Sequence, residues 1–150
     1  MNVLITGTHQ GIGKAIAAYL RERGWRVITA SHRPDSGADI IADLSDPTGP
    51  ARLYAAAMNI LGGNPPDALV NNAAIFSGDD AAIAQVGFEA PKKLTMLMAG
   101  RETGRGSVVN ILDCRLLSAK EAQGSYEKAK LELLEYTRKS ALLFSETLRV

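Results

Sequence analysis

The sequence has 150 residues, 46% hydrophobic and 22% charged, with a formal charge of +1. That composition suits one folded domain and argues against disorder, and no Lys/Arg cluster forms a stripe that would track phosphates, so nucleic acid is not expected as a partner. The single Cys114 excludes an internal disulfide and reads as a small buried side chain, and no apolar run reaches the length that spans a bilayer, so a cytoplasmic location without membrane contact is expected.

Residues 2–6 read as a short apolar strand around Val3-Leu4-Ile5, running into a glycine-bearing turn. Residues 12–23 follow as a helix whose apolar face is Ile12, Ile16, Ala17 and Leu20 at a 3.6-residue period, and Gly24 stops it. Strands are expected at 25–30 and 39–42. Within 50–61 the stripe Leu53, Ala56, Ala57 and Ile60 predicts a second helix, closed by Gly62-Gly63 and Pro65-Pro66. A fourth strand at 67–71, a short helix at 91–98, a fifth strand at 107–112 and a long helix from 125 to about 143 complete the series, and Leu148-Arg149-Val150 reads as the first step into a sixth strand. Strands that alternate with helices and read as near-continuous apolar runs indicate a parallel sheet covered on both faces, an α/β, Rossmann-type doubly wound fold.

Between the first strand and the first helix lies Thr6-Gly7-Thr8-His9-Gln10-Gly11-Ile12-Gly13. Glycines there let the backbone turn tightly and approach a pyrophosphate, and the helix N-terminus offers free N–H groups and a positive dipole end. The spacing of the glycines resembles the T-G-x-x-x-G-x-G turn of the short-chain dehydrogenase/reductase family. Three later features fall in that family's order: Asp43 followed by Leu44 after strand three, Asn71-Asn72-Ala73-Ala74 in the place of N-N-A-G, and Tyr126-Glu127-Lys128-Ala129-Lys130 in the place of Y-x-x-x-K.

The resemblance implies a hydride-transferring oxidoreductase with a small-molecule substrate, working as a homo-oligomer. Gly7, Thr8, Gln10, Gly11, Ile12 and Gly13 are then expected at the cofactor phosphates, Asp43 and Leu44 near the adenine, and Asn72, Ala73 and Ala74 on the adenosine side. At the end of strand two, where an acid would read the ribose 2′-hydroxyl of NAD(H), the residues are Ser31, His32 and Arg33. A guanidinium suits a 2′-phosphate, so NADP(H) is the expected cofactor. Tyr126 and Lys130 sit four apart on one helix face. By resemblance Tyr126 protonates the substrate as hydride arrives, and Lys130 also holds the nicotinamide ribose. No metal site is expected.

Two positions depart from the family pattern. Thirteen residues before the tyrosine, where the family has a serine, stands Asp113; a carboxylate there can relay a proton or bind a substrate N–H. That choice is similar to the pteridine and dihydromonapterin reductases, which reduce C=N bonds of pterins, and Phe76 then reads either as a platform for the pterin ring or as a core side chain. The usual Asn of the proton relay is replaced by Gly87, the stretch 77–85 is short, and His9 has no partner that the sequence identifies. Gly87 favours the alternative of a non-catalytic nucleotide-binding module or inactive fragment, and retention of Tyr126 and Lys130 favours an enzyme. Residues 1–150 are read as one NAD(P)-binding domain truncated at its C-terminal end. Strand five would then be an exposed apolar edge, and the chain made alone is expected to aggregate or stay molten and to lack reductase activity.

Overall fold

Val3, Leu4 and Ile5 have no accessible surface on either face, the environment of a central strand in a parallel sheet. In the computed structural model, which describes residues 1–102, 104–117 and 124–150, they form β1 (Asn2–Thr6) in the middle of a six-stranded sheet. The other strands are β2 (Arg26–Ser31), β3 (Ile40–Ile41), β4 (Ala68–Asn71), β5 (Gly106–Asn110) and β6 (Leu148–Arg149), in the order β3-β2-β1-β4-β5-β6 and all parallel. The order reverses between β1 and β4. Loops leave the sheet in opposite directions there, and a crevice opens at the carboxyl ends of the strands.

Helix α1 (Gly11–Glu22) covers one face of the sheet through Ala17, Ile16 and Leu20. Gly24, with φ of 77°, closes it: its amide donates to Arg21 O and that of Trp25 to Leu20 O, satisfying two terminal carbonyls. Helix α2 (Gly49–Ile60) packs on the other face and stops the same way at Gly62. The α5 helix (Ser125–Leu143) agrees with its sequence-based span.

Several expectations need correcting. Ile12 is 61% exposed and lines the crevice, so α1 packs through Gly13, Ile16, Ala17 and Leu20. Ile60 lies off the buried face of α2, where Tyr54 and Leu61 take its place. Strand three has two residues because the carboxylate of Asp39 takes the Thr29 amide and hydroxyl at 2.8 and 2.6 Å, where a longer β3 would pair. Burial opposes the charge on Asp39, but the Thr29 bonds and Arg21 outweigh it and hold the carboxyl below its usual range. Cys114 is exposed.

The short helix at 91–98 is the last part of a longer run: α3 (Asp80–Ala84), a π-helical turn (Gln85–Glu89) and α4 (Ala90–Ala99). Asp79 caps its start by accepting from the Ala82 amide at 2.9 Å. Pro91 read as a helix start, yet after a π turn the local hydrogen-bond pattern is already shifted and its missing N–H interrupts nothing. Strand five is not wholly an open edge either. Leu148 and Arg149 pair with Gly106 and Ser107, and Leu148 is fully buried. Farther along β5, Val109 is half exposed.

Candidate active site

The end of β1 is tied to the end of β4 by one hydroxyl. Thr6 Oγ1 accepts from the amides of Asn72 and Ala73 at 3.0 and 3.1 Å, and the Asn72 amide group donates to the carbonyl oxygens of Thr6 and Gly7 at 3.0 Å each. Gly7 has φ of 70°, and a Cβ there would meet Ala73 Cα at 2.8 Å. A Cβ on Gly13 would collide with Gly7 O and Asn72 Nδ2. Both glycines are therefore required by close packing of the turn, whereas Gly11, with φ of 58°, has no atom within 4 Å of where a Cβ would stand and faces open space. Thr8 is buried, and its amide and hydroxyl both donate to Ala30 O.

These contacts form one wall of a cleft of about 720 Å³ along the carboxyl ends of β1, β2, β4 and β5. Gly7, Gln10, Gly11 and Ile12 line its middle; Ser31, His32, Arg33, Asp43 and Leu44 one end; and Phe76, Asp113, Tyr126 and Lys130 the other, with Asn72, Ala73 and Ala74 between. Of the residues expected at the cofactor, Thr8 and Gly13 do not line the cleft; they support the turn from behind.

At the first end Ser31 is buried and its Oγ accepts from the Arg33 amide at 3.1 Å. The Arg33 guanidinium reaches His9 Nε2 at 3.4 Å. Asp43 Oδ1 accepts from the Ser45 hydroxyl and amide at 2.7 and 2.9 Å, which holds its carboxyl below the usual range, helped by the field of His32.

At the other end the Tyr126 hydroxyl donates to Asp113 Oδ2 at 3.0 Å, and the Tyr126 ring lies 4.8 Å from that of Phe76, tilted by 34°. Phe76 is 68% exposed, which rules out the core reading and leaves it as a face of the cleft. Lys130 is almost fully buried, with Nζ donating to Ile111 O at 2.7 Å. Burial pushes its ammonium below the usual value, and the Asp113 carboxylate acts in the opposite direction. Behind this end, Asn71 Nδ2 donates to Asn110 Oδ1 and Asn110 Nδ2 to Thr137 Oγ1, at 2.8 and 2.9 Å, so the ends of β4 and β5 are joined to α5. Gly87 packs where a Cβ would stand 2.9 Å from the Ala129 Cβ of α5, a reason for glycine that is independent of chemistry.

The family model described as short chain dehydrogenase matches residues 1–150. The chain belongs to the short chain dehydrogenases. Among solved structures it is similar to a 4-hydroxyisoleucine dehydrogenase complexed with NADH, at 25% identity over 99% of this chain and 72% of that one, with a TM-score of 0.86. It is also similar to FolM alternative dihydrofolate reductase 1 from Brucella canis complexed with NADP, at 29% identity over 99% and 70% of the two chains and a TM-score of 0.86. A third is an oxidoreductase of the same family from Brucella ovis, at 29% identity over 99% and 79%, with a TM-score of 0.80. Short chain dehydrogenases of this fold thus include structures holding NADH and NADP, so a nicotinamide cofactor is the common element.

Sequence reading missed three features of this short chain dehydrogenase: the Thr6 clamp, the His9–Arg33 contact, and the Ile111 carbonyl that receives Lys130. Only Thr6 carried a signal, as a hydroxyl at the last position of an otherwise apolar strand. Among the described residues no helix is long and apolar enough to cross a membrane.

Proposed function

We propose that the protein is an NADP(H)-dependent reductase that delivers hydride to a C=O or C=N group of a small molecule, with pterin-like heterocycles ahead of simple ketones. The observation that carries this reading is the Tyr126–Asp113 hydrogen bond beside an exposed aromatic ring, in a cleft whose far end bears Arg33 and no acid at residues 31–33. The likeness to an alternative dihydrofolate reductase holding NADP supports it.

The turn fits a dinucleotide: Gly7 and Gly13 leave no room for side chains within the protein, and the Gly11 side is open. Gly7, Gln10, Gly11 and Ile12 would hold the pyrophosphate, with Thr8 and Gly13 bracing them. Ser31, His32 and Arg33 would hold the 2′-phosphate, Asp43 and Leu44 the adenine edge, Asn72, Ala73 and Ala74 the adenosine side, and Tyr126 and Lys130 the nicotinamide ribose. When bound, the cofactor supplies the hydride. Tyr126 gives its hydroxyl proton to the substrate oxygen or nitrogen, Asp113, the carboxylate that accepts from that hydroxyl, accepts a substrate N–H or relays a proton from solvent to the phenolate left on Tyr126, and Phe76 presents a flat apolar face to a ring. A cytoplasmic homo-oligomer is the setting that the family resemblance implies.

Steady-state assays with NADPH and NADH, against a dihydropterin and a plain ketone, test the reading. NADPH is expected to be preferred and Arg33→Ala to reduce that preference roughly ten- to hundredfold, the value of a charge-assisted contact of about 1.5–3 kcal/mol. The dihydropterin is expected to turn over faster than the ketone. Equal use of both cofactors would overturn the NADP(H) assignment, and ketone-only activity the pterin one.

A further inference from the structure

Two helix starts meet beside the Tyr126 end of the cleft. Ser125 is the first residue of α5 and Asp80 the first of α3, and the Ser125 hydroxyl donates to Asp80 Oδ1 at 2.6 Å. Neither side chain caps its own helix: Asp79 caps α3 through the Ala82 amide, and α5 starts from Gly124 with no side-chain cap. The bond therefore joins the two helices rather than ending either one, and α3 lies against α5 with Ile83 buried.

Tyr126 follows Ser125 on α5, and Phe76 stands shortly before Asp80, its ring 4.8 Å from that of Tyr126. The two segments thus meet twice, once through the rings and once through the hydrogen bond. Residues 76–80 are exposed, and Gly78 has φ of 123°, so this stretch has little packing of its own to fix it. On the other side of Phe76 the chain is pinned by the Thr6 clamp on Asn72 and Ala73. We propose that Ser125 and Asp80 are positioning residues that set specificity for flat substrates: their bond holds the Phe76 ring where a planar heterocycle meets the ring and the Tyr126 hydroxyl together. This rests on the roles of Phe76 and Tyr126 given above. Without the bond, a largely exposed ring keeps one tilted neighbour and its loop can swing, while Tyr126 retains Asp113 and Lys130 retains Ile111 O. Stacking on a ring is made alike in the ground and transition states, so its loss shows in KM rather than kcat.

Steady-state kinetics of the full chain with NADPH and a dihydropterin test the proposal, with Phe76→Ala as the reference. Ser125→Ala and Asp80→Ala are each expected to raise the dihydropterin KM about three- to tenfold, with kcat, NADPH affinity and melting temperature close to those of the unaltered protein. The double variant should be no worse than either single one, the mark of a shared interaction. Asp80→Asn keeps an Oδ1 that accepts the hydroxyl and should restore the KM, as should Ser125→Thr. An unchanged KM in Ser125→Ala beside a raised one in Phe76→Ala, additive effects in the double variant, or losses that run equally through melting and NADPH affinity would overturn the proposal and leave the role of Phe76 standing. A dihydropterin that is not turned over, or whose KM Phe76→Ala does not move, would instead remove that role and the proposal with it.

Discussion

Tyr126→Phe is expected to lower turnover by at least about 10²- to 10⁴-fold, the range that a positioned general acid contributes, while cofactor affinity stays close to that of the unaltered protein. The substitution deletes one oxygen. The ring contact with Phe76 at 4.8 Å remains possible, and Lys130 keeps its bond to Ile111 O, so neither the aromatic face of the cleft nor the ammonium loses its support. What disappears is the proton that the hydroxyl now shares with Asp113 at 3.0 Å. Single-turnover measurement of NADPH oxidation, beside a direct titration of cofactor binding, separates the two effects. Turnover near the original rate would mean that the proton comes from elsewhere, and loss of binding with loss of turnover would mean that Tyr126 acts mainly as a structural post.

Gly13→Val is expected to have the largest effect on the fold. Its Cβ would enter the space of Gly7 O and the Asn72 side chain, and the first of these is backbone held by Asn72 Nδ2 at 3.0 Å. A flexible side chain can move aside, but a carbonyl in a tight turn cannot do so without carrying the turn with it. Overpacking of this kind costs about 3 kcal/mol or more, a large part of a domain's usual stability of about 5–15 kcal/mol. Thermal unfolding should show a lowered transition, and any protein that remains folded should bind nicotinamide dinucleotides poorly, because the displaced Gly7 and Gly11 are the cleft's middle wall. Unaltered melting and binding would show that the turn tolerates a side chain and that Gly13 has no packing role.

The glycine turn and the Tyr126–Lys130 pair were legible because their chemistry depends on local spacing. Three glycines around a strand-to-helix turn and two functional groups one helical turn apart are patterns that a short stretch of chain carries entire. The same holds for α5, whose sequence-based limits agree with its structure, and for the Gly24 and Gly62 stops, where a positive φ selects glycine. Ile12 misled because its spacing fits the apolar face of α1, and spacing alone does not reveal that the first turn of a helix overhangs a cleft. Gly87 was legible only as a departure from the family pattern; that a Cβ at its position would stand 2.9 Å from that of Ala129, where the π-helical turn approaches α5, is a packing fact that the sequence did not carry.

By itself the sequence determined the alternation of strands and helices, the parallel doubly wound sheet and the family, since apolar runs, helix periods and glycine stops are all encoded within a few residues. Tertiary structure alone decided which of those residues meet. Asp113 on the segment after β5 and Tyr126 on α5 come within hydrogen-bond reach, Phe76 leaves the core to face them, and His9 finds Arg33 across two strand ends. The reason is that each of these pairs joins separate elements whose distance is set by sheet order and by helix packing on the sheet. Their separation in sequence carries no information about it, so their chemistry became readable only once β1, β2, β4 and β5 stood side by side with their carboxyl ends together.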